Sequence, residues 1–207
     1  MITGFTAGLL LITLSELGDK TFFIGAILAM RHPRRWVFLG VILALASMTI
    51  LSVGLGQVAA LFPHHYVQRI AIALFFGFGF KLLYDASRMS PQGGMADEQS
   101  EAWDAVNGRA RLQSSGVLQR LIVLEALTLT FAAEWGDRTQ LATITLSTTN
   151  HPLGVIIGAT LGHAICAAIA VVAGRLIAGR LSERLLTALG GGLFILFGVV
   201  TVFGGGA

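Results

Sequence analysis

The sequence predicts an all-α polytopic membrane protein with six transmembrane helices, arranged as two inverted repeats of three helices. Three observations support this fold class. The chain of 207 residues is 55% hydrophobic and 12% charged, with a mean hydropathy of +0.78, whereas soluble domains carry about 25% charged residues. Apolar stretches of membrane-spanning length recur along the chain. A short acidic motif also occurs twice, once in each half.

Six apolar segments come close to or exceed the roughly 20 residues that a helix needs to cross a bilayer. They are Ile2–Met30, Trp36–Phe62, Val67–Tyr84, Leu118–Ser147, Pro152–Gly174 and Leu185–Phe203. The first and fourth segments are longer than a bilayer requires, so each is expected to tilt, break or protrude. The first segment has no basic start and no clear cleavage pattern, so we interpret it as a retained helix and not as a signal peptide.

These spans divide the chain into three predicted parts. Residues 1–84 form the first repeat and residues 118–207 form the second. Residues 85–117 form a cytoplasmic linker that is rich in charge, glycine and serine, with room for a short surface helix. The single cysteine, Cys166, lies in an apolar segment, which excludes an internal disulfide and any multi-cysteine metal site.

The basic residues predict the orientation, because Lys and Arg in short loops favour the cytoplasmic side. Eleven of them fall near the predicted cytoplasmic loops, whereas the opposite side carries only Arg69. The eleven are Arg31, Arg34, Arg35, Lys81, Arg88, Arg109, Arg111, Arg120, Arg175, Arg180 and Arg184. Both termini are therefore expected outside the cytoplasm. The membrane is expected to be a bacterial inner membrane. Because these residues lie in short loops between apolar runs, the net charge of +3 does not indicate a nucleic-acid partner.

The duplicated motif reads SELGDKTFF at residues 15–23 and AEWGDRTQL at residues 133–141. One offset of 118 residues maps Glu16, Gly18, Asp19, Lys20 and Thr21 onto Glu134, Gly136, Asp137, Arg138 and Thr139. The same offset maps Gly40 onto Gly158, in the second span of each half. A unit of three spans enters the membrane the second time with opposite orientation. Inverted repeats of this kind are typical of transporters that bind their substrate near the midplane.

Acids in the middle of a membrane span are costly, at about 2.5–3.5 kcal/mol each on insertion scales. If each motif is helical, Glu16 and Asp19 share one face, and so do Glu134 and Asp137. Four carboxylates balanced by Lys20 and Arg138 leave a charge of −2. That charge matches one divalent cation or two protons. The alternative is structural, in which each glutamate pairs with the base four residues later and fixes the helices together.

The side chains of the motifs suit a hard cation. Carboxylates, the hydroxyls of Thr21 and Thr139 and the amide of Gln140 are oxygen ligands of the kind that calcium, manganese and magnesium accept. The motifs contain no Cys, His or Met, which disfavours zinc and copper as intended substrates. Clustered carboxylates in a low-dielectric setting hold protons near neutral pH, and an arriving cation displaces them. Competition for one site is sufficient for cation–proton exchange.

The strings ELGDKT and EWGDRTQ, in the first and fourth predicted spans, resemble the paired E-x-G-D-[KR]-[ST] motifs of the MneA-type manganese exporters. These belong with the Golgi transmembrane protein 165 in a family of manganese/calcium–proton exchangers. The longer string EALTLTFAAEWGDRTQLAT, at residues 125–143, also resembles that family's second motif. The resemblance implies antiport, with Glu16, Asp19, Glu134 and Asp137 as metal ligands. Thr21, Thr139 and Gln140 match motif positions and are additional candidate ligands. The resemblance further implies export of manganese from the cytoplasm.

Glu125 and His163 also lie inside predicted spans. Glu125 precedes Glu134 by nine residues, which places it on the opposite face of a regular helix. His163 falls in the middle of the fifth span. Each is a candidate proton relay. A structural role in hydrogen bonding between helices remains the alternative for both.

Other functions remain as alternatives at this stage. A passive divalent-cation channel could use the same acids, and a small organic cation could replace the metal. An intramembrane aspartyl protease would need Gly where Glu16 stands, so the sequence does not indicate an enzyme. The expected partners are the metal substrate, protons and the lipid bilayer, with no permanently bound cofactor. The sequence does not determine whether manganese or calcium is preferred, how many protons are exchanged for each ion, or whether the chain forms a homo-oligomer.

Overall fold

The computed structural model describes residues 1–89, 96–110, 119–177 and 183–204, and nine α-helices account for the regular structure of these ranges. The helices are α1 Ile2–Glu16, α2 Lys20–Arg31, α3 Arg34–Ala59, α4 His64–Arg88, α5 Ala96–Ala110, α6 Gln119–Glu134, α7 Arg138–Thr149, α8 Pro152–Ile177 and α9 Glu183–Gly204. The predicted all-α class is confirmed for this part of the chain. Arg111 and Arg180, which contributed to the predicted orientation, lie outside the described residues.

Among the described residues, four helices are long and apolar enough to cross a membrane, by length and composition. They are Arg34–Ala59, His65–Arg88, Pro152–Val172 and Arg184–Phe203. They correspond to the second, third, fifth and sixth predicted spans. The first and fourth predicted spans are instead divided into two shorter helices each, α1 with α2 and α6 with α7. Of the three outcomes expected for overlong segments, breaking is the one observed.

Each break lies at the acidic motif and is made by its glycine. Gly18 has φ 83° and Gly136 has φ 81°, in the left-handed region that glycine enters without steric cost. Asp19 and Asp137 then adopt extended backbone and stand at the N-caps of α2 and α7. The prediction that the two acids of a motif share one face of a continuous helix is therefore wrong, because a helix ends between them.

The helix boundaries repeat with the offset that relates the motifs. The pairs α2 and α7, and α3 and α8, begin and end 118 residues apart, as do the ends of α1 and α6. The close helix crossings repeat as well. A Cβ on Gly40 would lie 2.5 Å from the carbonyl oxygen of Val123, and a Cβ on Gly158 would collide with the carbonyl oxygen of Phe5. Residues 5 and 123 are again 118 apart, so equivalent glycines make equivalent crossings.

Helices of one half of the chain pack against helices of the other half. Helix α1 packs along α8, α3 packs along α6, and α4 packs along α9. The half-helices α2 and α7 contact α8 and α3, which also belong to the opposite half. The two breaks therefore meet near the middle of the helical bundle. In addition, α9 contacts α1 and α4 contacts α7.

Within the predicted linker, residues 96–110 form helix α5, where the sequence left room for a short helix. Ala102 and Val106 of α5 are buried, and α5 packs on α2. Arg31, the last residue of α2, donates from Nη2 to Asn107 Oδ1 at 2.6 Å and stacks over the ring of Trp103 at 5.2 Å. Helix α4 continues to Arg88, four residues beyond the predicted end of the third span.

Candidate functional site

The two acidic motifs converge on one buried cluster. Carboxylate oxygens of Glu16, Asp19 and Asp137 all lie within 4.8 Å of one another. Glu134 is connected to this trio through Thr139 Oγ1, which lies within hydrogen-bonding distance of both Glu134 and Asp137. The side chains of Glu16 and Glu134 are each only 2% exposed and that of Asp19 is 9% exposed. Acids from both halves of the chain therefore share one low-dielectric space.

Two threonine hydroxyls connect the acids. Thr21 Oγ1 donates to Glu16 Oε2 at 3.1 Å. Thr139 Oγ1 lies 3.2 Å from both Glu134 Oε2 and Asp137 Oδ2, so its one proton serves one carboxylate at a time. Each hydroxyl therefore contacts the glutamate of its own motif, and the two motifs meet through the carboxylates of Glu16, Asp19 and Asp137.

Several carboxylate oxygens in the cluster have no hydrogen-bond partner among the described residues. They are Glu16 Oε1, Asp19 Oδ2 and Glu134 Oε1, and all three are buried. A buried polar atom without a partner is costly, and a buried charge is more costly still. When ionised, these oxygens can only accept, so a cation, a proton or a donating water would satisfy them. The cluster is chemically suited to hold a cation or a proton.

The helix ends supply part of the counter-charge. Asp19 and Asp137 stand at the N-termini of α2 and α7, where the helix dipole favours an anion, and Asp137 Oδ2 accepts from the backbone N–H of Thr139 at 3.4 Å. Arg138 Nη2 lies 3.6 Å from Asp19 Oδ1. No ion pair within 4.0 Å joins Lys20 to Glu16 in the described part of the chain. The structural alternative, in which each glutamate is neutralised by its own motif's base, is therefore wrong for Glu16 and Lys20.

Gln140 occupies a supporting position. Its Oε1 accepts from the backbone N–H of Gly136 at 2.7 Å, and its Nε2 donates to Met48 Sδ at 3.1 Å. The first bond holds the break before α7 in place, because it occupies an N–H that no helical carbonyl can reach. Gln140 therefore touches the backbone of the second motif, while its amide oxygen is already engaged.

The two candidate relay residues lie in different places. Glu125 is in α6, away from the trio, and its Oε2 lies 3.5 Å from Nε2 of His32. His163 is 5% exposed and lines a small chamber together with Glu134, Thr139 and Gln140. Its Nδ1 has no partner among the described residues, so the structural alternative of a hydrogen bond between helices does not apply to that atom.

A separate crevice reaches the cluster from the other side. It has a volume of ≈ 30 Å³ and is lined by Gly18, Asp19 and Arg138, with Leu82 of α4 and Leu186 of α9 on its far wall. Leu82 is near the C-terminal end of α4 and Leu186 near the N-terminal end of α9. The crevice therefore extends from the acids toward the end of the bundle that carries Arg88 and Arg184 in the sequence.

Sequence reasoning missed the polar lining of the small chamber. Met48, Thr49 and Ser52 of α3 and Thr143 of α7 contribute to it, and none belongs to a motif. One signal was present: α7 carries a run of hydroxyl side chains from Thr139 to Thr149, whereas α2 carries only Thr21. That difference between otherwise equivalent half-helices marks the chamber's side of the site.

Comparison with known proteins identifies the family. The family model described as "Divalent cation/proton antiporter GDT1" matches residues 4–90 and 122–207. This chain belongs to the GDT1 family. The two matched ranges each contain one acidic motif, and the residues between them cover most of the predicted linker.

Relatives in the GDT1 family match along nearly the whole chain. GDT1-like protein sll0615 of Synechocystis sp. is 52% identical over 203 residues, with 97% of each chain covered. GDT1-like protein 5 of Arabidopsis thaliana is 38% identical over 219 residues, with 96% of this chain and 95% of the relative covered. GDT1-like protein 2, chloroplastic, of Oryza sativa subsp. japonica is 40% identical over 215 residues, with 98% and 61% covered. No solved structure matches.

Membership of the GDT1 family confirms the family that the motifs resembled. It also establishes the class of activity: the chain is a divalent cation/proton antiporter and not an enzyme. The transported ions are substrates, so no permanent cofactor is expected. Together with the four long apolar helices, the family places the chain as a multi-pass integral membrane protein.

Proposed function

We propose that this GDT1-family chain exports manganese from the cytoplasm in exchange for protons, with calcium as a second substrate. The observation that carries the proposal is the convergence of Glu16, Asp19 and Asp137 within 4.8 Å. Three carboxylates from both halves of the chain make a site that neither half has alone. Oxygen ligands at this spacing suit Mn²⁺ and Ca²⁺.

The metal ligands in this proposal are Glu16, Asp19, Glu134 and Asp137. The hydroxyls of Thr21 and Thr139 are additional neutral ligands, and Gln140, predicted as a further ligand, instead supports the second motif because its amide oxygen accepts from Gly136. Lys20 and Arg138 balance charge. With four carboxylates and two bases, the site carries −2 without its substrate, which favours two protons for each divalent ion.

Exchange follows from competition for the same lone pairs. A bare cluster of buried carboxylates is unfavourable, so the cluster holds either protons or a cation. Metal binding therefore releases protons, and protons arriving from the other side of the membrane release the metal. No separate coupling device is needed in this account.

The proposed architecture has six spans in two inverted repeats, residues 1–84 and 118–207, joined by the cytoplasmic linker 85–117. In it, α1 with α2 and α6 with α7 serve as two broken spans, and α3, α4, α8 and α9 as four continuous ones. The repeated helix boundaries and the equivalent crossings at Gly40 and Gly158 support this architecture. Broken helices with a midplane site between repeats are a recurring transporter arrangement. Both termini then face away from the cytoplasm, in the inner membrane of a bacterium.

The crevice beside Asp19 supports access from the cytoplasm. It points toward the end of the bundle where the basic residues predict the cytoplasmic side, as export requires. At ≈ 30 Å³ it has room for one or two water-sized particles, which suits an ion that has lost most of its hydration shell better than an organic cation such as lysine. Nothing in the described residues favours an organic substrate.

Glu125 and His163 remain proposed proton relays. Glu125 lies beside His32, at the junction of α2 and α3, near the basic end of the bundle. From there it can pass protons between the cytoplasm and the buried acids. His163 lies on the other side of the cluster, in the chamber that contains Glu134. The two residues would then serve opposite sides of the site.

Reconstitution into sealed liposomes tests the proposal. Uptake or release of Mn²⁺ driven by a pH gradient is expected, together with movement of about two protons per ion. Glu16→Gln is expected to abolish exchange, while Glu101→Gln, which alters an exposed acid of α5, is expected to retain it. A saturating Mn²⁺ flux that does not depend on the pH gradient and carries an electric current would contradict antiport.

A further inference from the structure

The chamber beside Glu134 differs chemically from the carboxylate trio. It is a small space of ≈ 10 Å³, with room for about one water-sized particle. Its lining includes Glu134, Gln140 and Thr143, and it also includes a nitrogen and a sulfur side chain, His163 and Met48. The motifs themselves contain neither histidine nor methionine, so this chemistry is invisible in them.

Two residues that line the chamber each have a polar atom without a partner. Glu134 Oε1 and His163 Nδ1 are both buried, and neither has a hydrogen-bond partner among the described residues. The two residues are 2% and 5% exposed. Buried polar atoms are normally satisfied, so each of these atoms is available to a species bound in the chamber.

The residues of this chamber differ from their counterparts in the repeat. The offset of 118 residues relates His163 to Leu45, Gln140 to Phe22 and Thr143 to Gly25. The first half therefore lacks the nitrogen, the amide and the hydroxyl that the second half has at these positions, and Leu45 itself lines the same chamber. The equivalent helix boundaries of α2 and α7 do not by themselves require this difference.

We propose that His163 determines metal specificity, its Nδ1 and Glu134 Oε1 together coordinating a transition-metal ion during transport. The inference rests on the proposed function, because it concerns the same ion on its way through the site. Ca²⁺ and Mg²⁺ take oxygen ligands, whereas divalent first-row transition metals also accept imidazole. An imidazole at this position therefore favours Mn²⁺ and Fe²⁺ over Ca²⁺. The oxygen trio alone would not make that distinction.

The competing occupant of the chamber is a single water molecule that bridges Glu134 and His163. A bridging water would satisfy both atoms and would leave the choice of metal to the carboxylates. The two cases differ in whether a nitrogen atom is bonded to the metal, and a spectroscopic measurement on the bound ion can determine that directly.

Pulsed electron paramagnetic resonance of Mn²⁺ bound to the purified full chain tests the proposal. Coupling to a directly bonded ¹⁴N is expected in the parent and in His151→Gln, which alters an exposed histidine. It is expected to be absent in His163→Gln. Bound Mn²⁺ without nitrogen coupling in the parent, or with unchanged coupling in His163→Gln, would overturn the assignment. A parent that binds no Mn²⁺ would instead contradict the proposed function, and this inference with it.

A selectivity measurement supplies a second readout that does not depend on the spectroscopy. The variant His163→Leu places at this position the residue found at the equivalent position 45. Its affinity for Mn²⁺ is expected to fall by about 10- to 100-fold, as when a metal site loses a supporting ligand. Its affinity for Ca²⁺ is expected to remain that of the parent. Equal losses for both ions would overturn a specificity role, and His163→Gln serves if the leucine variant does not fold.

Discussion

Arg138, from the second motif, forms an ion pair with Asp19, from the first, with Nη2 3.6 Å from Oδ1. The base at the start of α7 thus balances the acid at the start of α2, across the two halves of the chain. Arg138 is one-third exposed and lines the crevice that reaches the cluster. If Asp19 binds the transported cation as proposed, Arg138 competes with that cation for Asp19 at the crevice.

Removing this competitor is expected to tighten metal binding and slow transport. In Arg138→Gln, Asp19 loses its cationic partner, so the cluster gains one unit of negative charge. Because the pair is partly exposed, the gain in Mn²⁺ affinity is expected to be about two- to fivefold. Exchange in liposomes is expected to slow, since the ion is released less readily. Titration calorimetry and flux assays measure the two effects.

Arg138→Lys is the matched control, because it keeps the charge without the planar guanidinium. Its affinity is expected to stay near that of the parent. Weaker Mn²⁺ binding in folded Arg138→Gln would show that Arg138 supports the site in some other way than by competing for Asp19.

The hydroxyls of Thr139 and Thr21 are expected to contribute unequally to the free energy of unfolding and to metal affinity. Thr139 Oγ1 reaches both Glu134 and Asp137, whereas the hydroxyl of Thr21 bonds Glu16 at 3.1 Å. Thr139→Val is therefore expected to lower the free energy of unfolding and the metal affinity more than Thr21→Val does. A lost hydrogen bond to a buried carboxylate costs about 1–3 kcal/mol. Thermal melts with and without Mn²⁺ would measure both, and the serine variants should restore each. Equal losses in the two valine variants would count against the unequal roles.

Substitutions at Gly136 and Gly40 distinguish the effect of backbone conformation from the effect of close packing. Gly136 has φ 81°, and an added Cβ would meet no heavy atom within 4 Å, so Gly136→Ala costs only backbone strain of about 1–3 kcal/mol. Asparagine tolerates the left-handed region better, so Gly136→Asn should retain more exchange activity than Gly136→Ala. Gly40→Ala instead places a Cβ 2.5 Å from the carbonyl oxygen of Val123, and reduced folded yield is expected. Equal activity of the two Gly136 variants would show that the φ angle there is unimportant.

Metal affinity is expected to rise with pH. If two protons leave the cluster for each bound ion, the dissociation constant falls by about two log units per pH unit while the cluster is protonated. Titrations with Mn²⁺ across a range of pH give this slope. A slope of zero would show that protons and metal do not share the acids.

Glu125 is expected to influence rate and not affinity. Its carboxylate lies beside His32, outside the trio, so Glu125→Gln should leave Mn²⁺ affinity unchanged while slowing proton-coupled exchange. His32→Gln tests whether exchange needs the Glu125–His32 pair or Glu125 alone. An unaltered exchange rate in Glu125→Gln, with a lower melting temperature, would identify Glu125 as a structural residue.

Much of the site could be predicted because its residues are concentrated in a repeated motif. Charge in an apolar span has a high cost, so Glu16 and Glu134 stood out, and the shared offset predicted that the motifs would meet. The position of each helix break was less accessible. The glycine of each motif was visible in the sequence, but the helix periodicity applied to Glu16 and Asp19 took no account of a positive φ at Gly18.

The remaining contacts depend on tertiary packing, which a local pattern does not encode. The partner of Arg138 is an acid 119 residues away, and the i,i+4 rule proposed a nearer one. Met48 and His163 come from helices whose sequences are otherwise apolar, and only the crossing of α3, α7 and α8 brings them to Glu134. Only the hydroxyl-rich sequence of α7 indicated a polar chamber.

The central claim is that acids of both motifs form one ion site, and the amount of bound Mn²⁺ in single-motif variants tests it most directly. The parent and Asp104→Asn, which alters an exposed acid of α5, are expected to bind one Mn²⁺ per chain. Asp19→Asn and Asp137→Asn are each expected to lose that ion. Two ions bound by the parent, with one retained at parental affinity in either variant, would contradict a shared site.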